Sequence, residues 1–170
     1  PLKLDVPRDV AVLEFLVAYM GRLNYGPGII DRKGITEYVT IGGQLLFDWE
    51  IISLPLEDLS PISFTSARLP LEHPTFFRGT LHLESPADTF LSLEGRTKGV
   101  AWINGKNLGW YWNRGPQQTL YIPGVWLNNG PNEVIVFELD GTTNSEVSFV
   151  DQPILDQSFH PAERGLQEGG

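Results

Sequence analysis

The chain has 170 residues, 21 acidic against 12 basic side chains, a net charge of −9 and no cysteine. That length suits one or two domains, the missing thiols exclude disulfides and thiolate metal sites, and the acidic balance disfavours nucleic acid and anionic membrane surfaces. No apolar run approaches the ~20 residues of a membrane-spanning helix, and 18 Gly with 13 Pro point to turn-rich β structure.

The first ten residues carry charge and two prolines, unlike a signal peptide. Lacking an initiator Met, the chain reads as an excised piece or a processed subunit. Leu2, Leu4 and Val6 alternate with Pro1, Lys3 and Asp5, which predicts a half-buried strand. Val10 to Met20 is apolar on both faces apart from Glu14. Its β-branched and aromatic content predicts a buried strand rather than a helix. Gly21 to Gly28 is a glycine-rich loop. Ile35 to Ile41 alternates, Gly42-Gly43 turns the chain, and Leu45 to Leu54 places Phe47, Trp49 and Ile51 on one face.

Residues 55–74 hold four prolines and no periodicity, so they read as a connector between a partial β domain, 1–54, and a second domain, 75–155. The connector's apolar residues, Leu56, Leu59, Ile62, Phe64 and Leu69, predict that it lies across a surface. Strands are expected at Phe76–Glu84, Thr89–Leu93, Val100–Ile103, Leu108–Trp112, Thr119–Ile122, Glu133–Leu139 and Glu146–Val150. Their recurrence every 8–12 residues suits an all-β jelly-roll sandwich. Residues 156–170 are polar, end in Gly-Gly and are expected to fray.

Four of the five tryptophans, Trp102, Trp110, Trp112 and Trp126, fall between Lys98 and Glu138. Val100–Ile103 and Leu108–Trp112 flank Asn104-Gly105, a pair suited to a type I′ turn because both residues tolerate positive φ. A hairpin with aromatic residues around its turn follows. Trp110 and Trp112 alternate with Tyr111, so one set is expected in the core. Trp102 is expected there too.

The stretch KGVAWINGKNLGWYWNRGPQQTLYIPG, residues 98–124, resembles the C-terminal signature of family-35 glycoside hydrolases, the β-galactosidase-like enzymes. It departs from the family pattern at Thr97, often Gly there, and at Trp110, often Arg. MGRLNYG, residues 20–26, is similar to a second family run. The resemblance implies a galactose-binding-like β-sandwich preceded by part of another β domain, both lying behind a catalytic TIM barrel in the parent enzyme. It implies that the parent hydrolyses terminal β-galactosides with retention, through two barrel glutamates that have no counterpart in this chain. No βα alternation that would build a barrel occurs here.

On that footing the chain braces the barrel, and Tyr25, with Arg22 and Asn24 beside it, lies near the rim of the substrate pocket. For Arg22 and Asn24 the competing reading is backbone capping within a tight loop. Trp110, Trp112, Asn104 and Arg114 are carbohydrate-binding candidates, since sugar C–H faces stack on indole rings while polar neighbours bind hydroxyls. Core packing or contact with another domain competes with that reading. An independent carbohydrate-binding module and a structural interaction domain are the alternative functions. The partners implied are the barrel and a β-galactoside or galactose, with no nucleic acid and no membrane. The compartment is not fixed, although the resemblance is compatible with a secreted or lysosome-like one. Sandwiches of this kind often hold a structural calcium, for which Glu84, Asp88 and Glu138 offer some oxygen ligands. The three histidines, His73, His82 and His160, have no metal-ligand spacing. No cofactor or metal site is assigned.

Overall fold

The structure is a computed structural model that describes residues 12–21, 23–66 and 69–155. Arg22, the first expected strand and the expected tail at 156–170 lie outside the described residues. The chain divides into two compact units, 1–53 and 54–170.

In the first unit Gly42-Gly43 supplies the positive φ of a tight hairpin, +57° and +83°. It joins β1 (Thr40–Ile41) to β2 (Gln44–Leu45). The strands expected at Val10–Met20, Ile35–Ile41 and Leu45–Leu54 otherwise do not form among the described residues. Alternation offers a strand one face to bury, but the backbone also needs a neighbouring ladder. Among the described residues of this unit, four find one. The Phe15 and Trp49 rings meet at 5.6 Å, tilted by 53°, and the Trp49 indole donates to the Leu46 carbonyl at 3.2 Å. No residue of the described part of this unit is buried.

The second unit is an antiparallel β-sandwich. One sheet has the order β3 (Thr75–Leu83), β8 (Gly130–Glu138), β5 (Lys98–Ile103), β6 (Lys106–Trp112). The other has the order β7 (Thr119–Ile122), β4 (Thr89–Ser92), β9 (Ser148–Val150). All seven strands expected after residue 74 form. Gly130 and Pro131 open β8. Proline is tolerated at the first positions of a strand, where its missing N–H matters least.

Two apolar layers follow from the period of two along each strand. Between the sheets lie Leu91, Leu93, Ala101, Ile103, Tyr111, Leu120, Ile122, Val134 and Val136. On the outer face of the four-stranded sheet, Val100, Trp102, Ile135 and Phe137 form a second cluster. Leu56, Leu59 and Phe64 pack against it, so the proline-rich stretch covers this face. Phe76 stacks on Phe137 at 4.2 Å beneath it. The stretch is pinned at its far end by paired hydrogen bonds between Leu71 and Thr142, 2.8 and 3.0 Å.

Candidate functional site

The β5–β6 hairpin turns at Asn104 (φ 47°) and Gly105 (φ 73°), the signs that a type I′ turn requires. The Asn104 amide donates to the Trp126 carbonyl and to Asn132 Oδ1, both at 2.8 Å, and its Oδ1 accepts from Glu133 N–H at 2.9 Å. Asn132, fully buried, holds Asn128 and Gly130 in turn. Asn104 is therefore spent on fixing the turn against β8, with both amide hydrogens used.

Beyond the turn, pairing slips by one residue. Trp102 faces Asn107, but Ala101 faces Gly109, so Leu108 is a bulge. Tyr111 then lies opposite Gly99 on the inner face, while Trp110 and Trp112 lie opposite Val100 and Lys98 on the outer face. Trp102 is 2% exposed, Trp110 37% and Trp112 39%. The Lys98 ammonium sits 5.9 Å from the Trp110 ring centre and 5.2 Å from that of Trp112. The Arg114 guanidinium lies 5.8 Å from Trp112. Two indoles and two cations thus form one exposed patch held by cation–π attraction.

Beneath it is a buried polar group that sequence reasoning missed. Glu138, 0% exposed, accepts from Thr97 N–H and Lys98 N–H at 3.1 Å, from Asp140 N–H at 3.3 Å and from the Tyr111 hydroxyl at 3.0 Å. Arg96, 2% exposed, lies over the Phe77 ring at 4.5 Å. Burial, then the nearby Glu138 charge, pushes the Tyr111 phenol far above its ordinary range. Burial also lowers the Arg96 guanidinium, against the pull of Tyr111 and Glu138. Gly99 belongs to the same arrangement: a Cβ there would strike the Phe137 carbonyl and lie 2.6 Å from the Tyr111 hydroxyl. The only sequence signal was an arginine between Gly95 and an apolar run.

The glutamines of the signature also serve the backbone. Gln117 donates to the Thr119 carbonyl at 2.9 Å, and Gln118 to the Gly115 carbonyl. Asp88 accepts from Gly124 N–H and from the Tyr121 hydroxyl, both at 2.7 Å. Glu84, Asp88 and Glu138 do not converge, and no group of three or more metal-ligating side chains occurs among the described residues.

Tyr25 is 90% exposed, in the loop that leads into a 3₁₀ turn at Pro27–Ile30. Asn24 beside it is exposed as well. Arg22 lies outside the described residues.

Comparison with known proteins matches both units. The family model "Beta-galactosidase, first all-beta domain" covers residues 2–55, and "Beta-galactosidase, galactose-binding domain" covers residues 74–132. Among curated relatives, human "Beta-galactosidase-1-like protein 2" is 42% identical over 162 residues, 90% of this chain and 25% of that protein. "Beta-galactosidase" of Bos taurus is 38% identical over 174 residues, 85% of this chain and 27% of that protein. "Beta-galactosidase 1" of Dictyostelium discoideum is 39% identical over 154 residues, 85% of this chain and 23% of that protein. The chain spans about a quarter of the length of these relatives. It belongs to the β-galactosidase family, of which it carries two non-catalytic regions, the first all-β domain and the galactose-binding domain.

Proposed function

We propose that this chain is the bracing region of an enzyme that hydrolyses terminal β-galactosides, and that it packs against that enzyme's catalytic barrel. One observation carries the reading. The described part of the first unit buries no residue, and Phe15, Tyr38, Phe47, Trp49 and Ile51 are all exposed. An apolar surface of that extent is costly in water and marks a protein–protein contact. The retaining chemistry belongs to the barrel's two glutamates, and Tyr25, with Asn24 beside it, reaches the rim of its pocket.

The module reading is weaker on a specific ground. A sugar-binding platform presents bare ring faces, whereas Lys98 lies over both Trp110 and Trp112 and Arg114 over Trp112. A sugar would have to displace those cations.

Mixing the chain with a separately produced catalytic domain of a homologous β-galactosidase tests the reading. The chain should co-elute with that domain, raise its melting temperature, and show no turnover of a chromogenic β-galactoside when alone. Tyr25→Ala should raise KM in the reconstituted enzyme. Absence of any association would overturn the bracing role. So would galactose binding by the chain alone that is lost in Trp110→Ala or Trp112→Ala.

A further inference from the structure

Asn104 and Asn129 each stand directly before a glycine. An asparagine so placed can lose its amide without an enzyme, when the following backbone nitrogen attacks the side-chain Cγ. A glycine nitrogen is the least hindered nucleophile, because no Cβ stands beside it. Space does not separate the two pairs: nothing lies within 4 Å of where a Cβ would stand at Gly105 or at Gly130. Hydrogen bonding does.

Asn104 is held. Its amide nitrogen donates to the Trp126 carbonyl and to Asn132 Oδ1, and its Oδ1 accepts from Glu133 N–H. All three bonds must break before its Cγ can turn toward the Gly105 nitrogen. The Asn129 side chain is exposed and makes no hydrogen bond or ion pair among the described residues. Gly130 is the first residue of β8 and lies opposite Leu83, the last of the edge strand β3. The end of an edge ladder opens at little cost, so the Gly130 nitrogen is freed without disturbing the core.

We propose that Asn129 is a site of spontaneous deamidation, and that its product releases the clasp between the Asn128–Gly130 loop and the β5–β6 turn. The Gly130 nitrogen bonds to the Asn129 Cγ and gives up its proton. The Cγ–Nδ2 bond breaks, ammonia leaves and a succinimide remains. Water then opens the ring. Cleavage at Cγ gives aspartate, and cleavage at the backbone carbonyl gives isoaspartate, in which the chain runs through Cβ and Cγ.

The clasp is Asn132, which is fully buried. It accepts from Asn128 N–H and donates to the Asn128 and Gly130 carbonyls, so it grips both sides of Asn129. The same side chain accepts from Asn104 in the hairpin turn. Isoaspartate lengthens the backbone between Asn128 and Gly130 by one carbon, and Asn132 cannot then keep partners on both sides. A buried amide that loses its partners is costly, so a change at the surface reaches the turn. The proposal is independent of the bracing role.

The test incubates the 170-residue chain in mildly alkaline buffer, folded and in denaturant, and locates deamidated residues by peptide mass spectrometry. A methyltransferase specific for isoaspartyl residues labels the rearranged product. In the folded chain Asn129 should convert at least about tenfold faster than Asn104, which must first break more than one net hydrogen bond. In denaturant the two rates should converge, since the bonds that hold Asn104 are gone. Conversion at 129 should lower the melting temperature. Asn129→Gln, at an exposed site without partners, should melt like the fresh parent and keep that melting temperature on incubation. The proposal is overturned if Asn104 converts as fast as Asn129 in the folded chain, if isoaspartate forms at 129 only in denaturant, or if the converted chain melts like the fresh parent.

Discussion

The Tyr111 hydroxyl donates to Glu138 Oε2 at 3.0 Å inside the sandwich, where both residues are shielded from water. Tyr111 enters from the edge strand β6 and Glu138 from the end of β8. Gly99 of β5 leaves the space in which they meet. The buried carboxylate is satisfied by three backbone N–H groups and one phenol rather than by a surface partner.

Tyr111→Phe should destabilise the sandwich by about 1.5–3 kcal/mol, the range for losing a hydrogen bond to a buried charge. Denaturant unfolding measures it. The phenol is raised in the folded state, so its contribution is fully present below its unfolded pKa, 10.0, and is lost as pH rises toward the higher folded value. Alkaline unfolding should therefore begin above pH ~10 in the parent, the region where phenols ionise. Absorbance of ionised tyrosine should show Tyr111 as the last to titrate. Tyr111 ionising together with the exposed tyrosines would contradict its place in the core.

Gly99→Ala and Gly79→Ala should behave in opposite ways. At Gly99 the new Cβ meets the Phe137 carbonyl and the Tyr111 hydroxyl, so the strands must part. A cost of about 1–3 kcal/mol or more follows, the range for overpacking. At Gly79, on the edge strand β3, nothing lies within 4 Å of a Cβ. Alanine there should be neutral or stabilise by up to ~1 kcal/mol, by reducing the freedom of the unfolded chain. Thermal melting of the two variants checks the pair, and equal losses would contradict the register of β5 against β6 and β8.

Trp102→Ala should cost about 3–5 kcal/mol, the range for deleting a large buried aromatic. Trp110→Ala and Trp112→Ala should shift melting far less, since each loses about 0.5–1 kcal/mol of exposed cation–π attraction to Lys98. Their effect should appear instead on association with the catalytic domain, where a half-exposed tryptophan acts as an interface anchor. A Trp110 variant that unfolds as readily as the Trp102 variant would place that indole in the core.

The strands of the sandwich and the Asn104-Gly105 turn were legible in the sequence. Period-two alternation and positive-φ residues act locally, within a few bonds of the residues concerned. The family was legible for the same reason: the signature is contiguous. In the first unit, alternation at Ile35–Ile41 and Leu45–Leu54 overstated the strands, because pattern records a burial preference and not the presence of a neighbouring ladder.

Which aromatic residues face inward was decided only in three dimensions. Counting back from the turn without a bulge would set Trp110 opposite Gly99 and turn both Trp110 and Trp112 into the core. The extra residue at Leu108 shifts the register by one and sends Tyr111 in and the two indoles out. The reason lies in partners far along the chain. Glu138 is 27 residues from Tyr111 and needs its hydroxyl, and Gly99 leaves room for a phenol there. Local pattern was enough for the strands of the sandwich, the Asn104-Gly105 turn and the family. The packing of β8 and β5 against β6 decided which face each tryptophan took, because register is set by what both sides of a sheet can bury.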